Sequence, residues 1–197
     1  GGQDELIVAT RNGAAPHCHE SDARPMGRAS HGVRVIRLRD DDYVIGAGVC
    51  RPGATLLTVT EDGKGRRSRI DDYRITKRGG LGIRNYAKGG VAAVKIVDDT
   101  DDLIMVSANG ILIRMHADDI NIQSRYGSGV RVMRLAADDK VAMVARADRD
   151  NGAETEKPEE DTEGEPTAEE LARMEAQEAA DAAADAADTT PDEEDET

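Results

Sequence analysis

Apolar residues in this chain gather in short runs, and the runs recur. Leu6–Thr10, Leu56–Thr60 and Leu103–Ser107 lead into Asn12-Gly13, Asp62-Gly63 and Asn109-Gly110 respectively. Asn-Gly and Asp-Gly accommodate the positive φ of a type I′ turn, so each run predicts the first arm of a β-hairpin. Further on, an Asp precedes an Arg by six residues and a Gly follows that Arg by four: Asp22, Arg28, Gly32; Asp72, Arg78, Gly82; Asp119, Arg125, Gly129. The arginines are 50 and then 47 residues apart, and the turn glycines Gly13, Gly63 and Gly110 keep the same two intervals. Two independent markers on one spacing establish three copies of a single unit. A third strand is expected after each Gly, at Val33–Leu38, Ile83–Tyr86 and Val130–Leu135. A fourth is expected at Tyr43–Val49, Val91–Val97 and Val141–Ala145.

Four short strands per repeat predict an all-β, propeller-like fold, with blades of four antiparallel strands at 1–53, 54–101 and 102–150. One small sheet cannot bury both of its faces. Stacking blades face to face closes the core and lines up each repeat position along one edge. A twelve-stranded β-sandwich is the other arrangement, and the strict repeat argues against it. From Asn151 the pattern stops: Glu, Asp, Ala and Thr dominate, too polar a mixture to offset chain entropy, so 151–197 is expected to be a disordered acidic tail. Thr167 with Glu170 forms a capping box, and the Ala-rich run behind it predicts a marginal helix over 168–187, ended by Thr189-Thr190-Pro191.

Charge divides along the same boundary. Residues 1–150 carry 24 Lys and Arg against 21 Asp and Glu, a net of +3, while 151–197 carry 2 against 19, a net of −17. The folded part is therefore mildly basic despite the overall −14, as suits a module that meets a polyanion. With no Phe or Trp and four Tyr, the core must rest on Val, Ile, Leu, Met and Ala, and base stacking is excluded for want of platforms. Duplex contacts through the phosphate backbone remain. Cys18 and Cys50, without a signal peptide or a long apolar run, predict a reducing cytoplasm and no membrane. The opening Gly1-Gly2-Gln3, beside a strand-like run, reads as a fragment boundary.

The segments Arg24–Arg34, Lys64–Ser68 and Tyr73–Gly82 resemble the last three blades of the C-terminal β-pinwheel of the DNA gyrase A subunit, over residues 4–150. Thr76-Lys77-Arg78-Gly79-Gly80-Leu81-Gly82 is similar to that family's gyrase-A box, Gln-Arg-Arg-Gly-Gly-Lys-Gly, but departs from it at Thr76, Lys77 and Leu81 and loses one cation. The resemblance implies a non-catalytic module that binds and wraps duplex DNA in support of negative supercoiling, with modulation by the tail. It implies the gyrase B subunit, with the rest of the gyrase A subunit, as partners in a heterotetramer. ATP and Mg would be used elsewhere in that assembly, in a bacterial, nucleoid-associated cytoplasmic location. The equivalent domain of topoisomerase IV is a close variant. A protein-binding propeller is a different class, and the scarcity of aromatic hot spots argues against it.

Candidate DNA contacts follow from charge, repeat position and the box: Arg28, Arg34, Lys64, Arg66, Arg67, Arg74, Lys77, Arg78, Gly79, Gly80, Arg84, Arg125 and Arg131. Lys64–Arg84 has a net charge of +6, and counterion release makes such a cluster bind phosphates tightly at low salt. Gly79 and Gly80 let backbone N–H groups approach phosphate. The bland alternative is a solvated, turn-rich loop. Asp22, Asp72 and Asp119 are expected to open turns, and the Asp pairs 98–99, 101–102 and 138–139 lie between strands with no EF-hand spacing. His17-Cys18-His19 suggests a chelate, but Cys50 stands alone in the sequence and no zinc is expected. Tyr43, Tyr73, Tyr86 and Tyr126 fall within the blades, where packing explains them. No nucleophile elbow, P-loop or dinucleotide fingerprint is present, so no catalytic residue is assigned.

Overall fold

Each Asn-Gly or Asp-Gly closes a hairpin in the same way. The N–H of Gly13, Gly63 and Gly110 donates to Thr10, Thr60 and Ser107 at 3.1 Å in all three. The hydroxyl of that same Thr or Ser accepts the N–H of Ala14, Lys64 or Ile111 across the turn. A computed structural model of the chain describes residues 2–39, 41–88, 90–150, 152, 154–159 and 165–187. The first repeat supplies β1 (Glu5–Thr10), β2 (Ala14–Ala15), β3 (His17–His19) and β4 (Val44–Val49). Pro16, which has no N–H to give the ladder, separates β2 from β3. The second supplies β5 (Thr55–Thr60), β6 (Lys64–Arg69), β7 (Ile83–Arg84) and β8 (Val91–Val97). The third supplies β9 (Asp101–Ser107), β10 (Leu112–His116), β11 (Val130–Arg131) and β12 (Val141–Asp148).

The blades are antiparallel and propeller-like, but a blade is not one repeat. The complete sheet has the order β11-β6-β5-β8, its fourth strand coming from the third repeat, and β7 of the second repeat pairs with β2 of the first. Each third strand thus crosses to the preceding blade. Among the described residues, the strand expected at Val33–Leu38 does not form, since the described residues hold no sheet edge of an earlier repeat for it to join.

The exchange explains which turn glycines are crowded. A Cβ on Gly63 would stand 2.3 Å from the Met133 carbonyl oxygen, and one on Gly13 would stand 2.0 Å from that of Tyr86. At Gly110 no strand of another repeat among the described residues approaches, and a Cβ there meets nothing within 4 Å. All three have positive φ. Gly110→Ala should therefore cost only the backbone strain of about 1–2 kcal/mol. Gly63→Ala should cost more, because it also pushes away the two N–H bonds that Val132 and Met133 donate to the Gly63 carbonyl. Urea unfolding of the two variants checks the order, and equal losses would contradict the exchange.

Two cores lie between successive repeats. Ile7, Ala9 and Ala15 pack with Leu56, Tyr73, Ile83, Val91 and Val94. Leu57, Val59 and Val97 pack with Leu103, Met105, Met115, Ile120 and Val132. The middle sheet is thus covered on both faces, and every residue of β5 is buried. Its threonines keep their hydroxyls satisfied, Thr55 on the Val97 carbonyl and Thr58 on Asn85. The last blade leaves Leu112 65% exposed and Met143 53% exposed.

Asp101 and Asp102, expected between strands, instead lie on β9 and pair within its sheet. Asp102 is fully buried on β9, with Arg114 at 2.7 Å and His116 Nδ1 at 2.6 Å. Burial favours its neutral form, but hydrogen bonds from His116, the Asp150 N–H and Arg114 outweigh that and bring its pKa down from 3.8 to about 2. A carboxylate with a depressed folded-state pKa stabilises above its unfolded pKa, and that stabilisation is lost as pH falls through about 2. Asp102→Asn should lower stability at pH 7 by on the order of 2 kcal/mol, a difference that shrinks progressively below pH 4. Denaturant melts of both proteins at pH 7 and pH 3 measure it.

The compact body runs to Glu165, past the sequence boundary at Asp150. Glu156 donates its N–H to the Arg114 carbonyl of β10, and Glu159 exchanges two backbone hydrogen bonds with Arg131. A second unit, 166–197, contains α1 (Ala168–Ala187), with the Thr167–Glu170 capping box formed. The stop at 189–191 lies outside the described residues. No described helix is long and apolar enough to cross a membrane.

Candidate nucleic-acid interface

The loop carrying the Asp, Arg and Gly markers begins with a one-turn 3₁₀ helix in every repeat: Glu20–Asp22, Ile70–Asp72 and Ala117–Asp119. The three aspartates end these turns. The loops of the second and third repeats then dock on the preceding blade through equivalent contacts. Thr76 N–H donates to the His17 carbonyl at 2.7 Å, and Gln123 N–H to the Arg67 carbonyl at 2.8 Å. Arg78 donates to the Arg34 carbonyl at 3.4 Å, and Arg125 to the Arg84 carbonyl at 2.9 Å. Arg125 thus braces one repeat against the next through part of its guanidinium, while Arg78 makes the equivalent contact longer and exposed. Arg125 also lies over the Tyr126 ring, 4.1 Å from its centroid.

The box sits on this seam. Gly79 gives its N–H to the Val35 carbonyl at 2.7 Å, and the Gly80 carbonyl accepts from Arg37 at 2.9 Å. That corrects the expectation that the Gly79 N–H faces a phosphate: it anchors the loop to the first repeat. Around this anchor Arg28, Arg34, Arg74, Lys77 and Arg78 are exposed, while Lys64, Arg84, Arg125 and Arg131 are half-buried.

Arg66 and Arg67 are not on the surface. They are 1% and 4% exposed, because β6 belongs to the blade covered on both faces. Arg66 donates to the carbonyls of Arg125, Gly127 and Asn85 and to Asn85 Oδ1, and its ring neighbour is Tyr86. Burial pushes its pKa down. Arg67 donates to the Ile120 carbonyl at 2.8 Å and pairs with Asp99 at 2.5 Å. Both are braces, a correction to their place among the candidate contacts. Asn85, which sequence reasoning passed over, joins Arg66 to Thr58 and to the Tyr73 hydroxyl, 2.6 Å away.

Several exposed cations already have acidic neighbours. Arg51 pairs with Asp98 and Asp101, and Glu159 at the start of the acidic segment pairs with Arg134. Tyr73 is buried, Tyr43 is exposed, and Tyr86 hydrogen-bonds the Ser128 carbonyl. Cys50, isolated in the sequence, lies 3.7 Å from His17 Nε2. Burial, and then the Glu5 carboxylate, push its thiol up to about 11, so it is no thiolate nucleophile.

This geometry has close parallels. A model of the DNA gyrase C-terminal domain, beta-propeller, matches residues 4–51, 54–99 and 101–147, one stretch per repeat. The DNA gyrase A subunit of Staphylococcus aureus (strain NCTC 8325 / PS 47) is 35% identical over 167 residues, covering 82% of this chain and 19% of that protein. The chain therefore spans about a fifth of the relative's length. In fold, the C-terminal domain of DNA topoisomerase IV superposes with a TM-score of 0.70 at 19% identity, covering 75% of this chain and 47% of that one. A DNA gyrase A C-terminal domain superposes with a TM-score of 0.67 at 24% identity, covering 73% of this chain and 50% of that one. With three repeats matched in register and their strands exchanged between neighbouring blades, the chain belongs to the DNA gyrase C-terminal domain, beta-propeller family.

Proposed function

We propose that the chain is a non-catalytic module that binds and wraps duplex DNA through its phosphate backbone, within a gyrase-type topoisomerase. One observation carries this reading. A basic loop recurs at one repeat position, is fastened by its backbone to the preceding blade where there is one, and still leaves Arg28, Arg74, Lys77 and Arg78 exposed. A loop held by main-chain bonds can spend its side-chain cations on a ligand. Phosphates spaced along a duplex suit a row of such loops, and curvature of the row bends the duplex. The remainder of the gyrase A subunit, together with the gyrase B subunit, would supply its partners, with ATP and Mg chemistry located there, in a bacterial cytoplasm. Family membership and the sequence match to a gyrase A subunit support the gyrase assignment ahead of topoisomerase IV.

Two unrelated duplexes of equal length and end structure should bind with equal affinity, since the described residues of the body hold no α-helix to read base edges in the major groove. A competition titration tests this, and a strong preference for one sequence would refute backbone recognition. The acidic segment should compete with DNA through tethering. Deleting 166–197, which leaves the body 1–165 whole, should raise duplex affinity at 50 mM salt and have little effect near 0.5 M, where the Debye length is about 4 Å. Equal affinities at 50 mM would assign the segment to solubility alone.

A further inference from the structure

Away from the basic loops, the first repeat brings metal-binding side chains onto one face of its sheet. In the order β3-β1-β4, Glu5 lies directly across from His19, and Cys50, whose N–H donates to the Glu5 carbonyl at 2.8 Å, follows β4 on the other side. His17 shares that face by strand alternation. His17 Nε2 is 3.1 Å from Glu5 Oε2 and 3.7 Å from Cys50 Sγ, and the three donor atoms lie within 4.8 Å of one another. Two ligands held tetrahedrally by one zinc, at about 2.1 Å for nitrogen or oxygen and about 2.3 Å for sulfur, stand about 3.4–3.6 Å apart. The two His17 distances need adjustments of only a few tenths of an ångström, and the Glu5 and Cys50 donors, within 4.8 Å of each other, would close onto the same ion.

The tautomer of His17 adds an independent argument. Its Nδ1 is 2.6 Å from the Tyr73 carbonyl, which can only accept, so Nδ1 carries a proton. In a neutral ring Nε2 is then a lone pair, facing a carboxylate oxygen that is also an acceptor. A cation beside both would satisfy the two acceptors at once. An Nδ1–H held by a carbonyl is also the outer contact that orients a metal-ligating imidazole.

We propose that Glu5, His17 and Cys50 form a binding site for a thiophilic divalent cation, zinc(II), with His19 offering a fourth donor 4.0 Å from Glu5 Oε1. Binding joins β1, β3 and the residue after β4, and through His17 reaches Tyr73 of the second repeat. The cation would clasp the strands of the first repeat together, and the Cys50 thiol proton leaves to solvent as it binds.

The test uses the whole chain, reduced and stripped with a chelator, and titrated with cobalt(II) as a spectroscopic substitute. One cobalt per chain should bind with a thiolate-to-cobalt charge-transfer band, and zinc should displace it. Cys50→Ser should abolish the band, Cys18→Ser should leave it, and Glu5→Gln should weaken cobalt binding by about tenfold or more. His17 is buried, so the half-exposed Cys50 and Glu5 carry the test, with circular dichroism confirming the fold of each variant, the buried Cys18→Ser included. A band that never forms, survives Cys50→Ser or depends on Cys18 overturns the site.

Discussion

Arg66→Ala should destabilise the body by about 3 kcal/mol or more while leaving duplex affinity per folded molecule unchanged. The guanidinium donates to three backbone carbonyls and to Asn85 Oδ1 inside a strand covered on both faces. Removing it strands those acceptors, at about 1–3 kcal/mol for each that no water reaches, and leaves a void as well. Arg66→Lys should not rescue it, because one ammonium cannot span carbonyls from Asn85, Arg125 and Gly127. Guanidinium-chloride unfolding gives the loss. A variant of wild-type stability that fails to bind DNA would return Arg66 to the binding surface.

The opposite pattern is expected for the triple substitution of Arg74, Lys77 and Arg78 by Ala. These side chains are exposed, so the change in stability should stay small. Duplex affinity at low salt should fall by about tenfold or more, and the slope of log affinity against log salt should flatten by up to about three. Arg78 has a second contact, to the Arg34 carbonyl at 3.4 Å, exposed and long enough to contribute little. If the triple variant unfolds and the folded fraction still binds normally, the seam loops are braces alone.

Much of the fold was legible because its signals are local. Strands β1, β5 and β9 and their turns follow from an apolar run and a dipeptide that accepts positive φ, and the repeat interval fixed three units. Strand exchange was not legible: β7 and β11 are two residues each, and nothing in Ile83-Arg84 or Val130-Arg131 says which repeat's edge they join. The missing strand at Val33–Leu38 follows from that exchange. Arg66 and Arg67 misled for a physical reason. Arginine points to solvent unless carbonyls surround it, and those carbonyls come from residues far along the chain. A signal was available in their position on the hairpin arm beside β5, whose unbroken Thr-Leu-Leu-Thr-Val-Thr run marks a blade buried on both faces. The His17–Cys50 contact likewise needed the pairing of β1 with both neighbouring strands, which depends on register.

The central claim, that the exposed seam cations hold a duplex by its phosphates, is tested most directly by measuring affinity for one duplex between 50 and 200 mM salt. A log–log slope near −0.9 for each phosphate neutralised is expected, steep in the intact chain and shallower by up to about three when Arg74, Lys77 and Arg78 are replaced. An affinity that does not change with salt, or a slope identical in the triple variant, would contradict it.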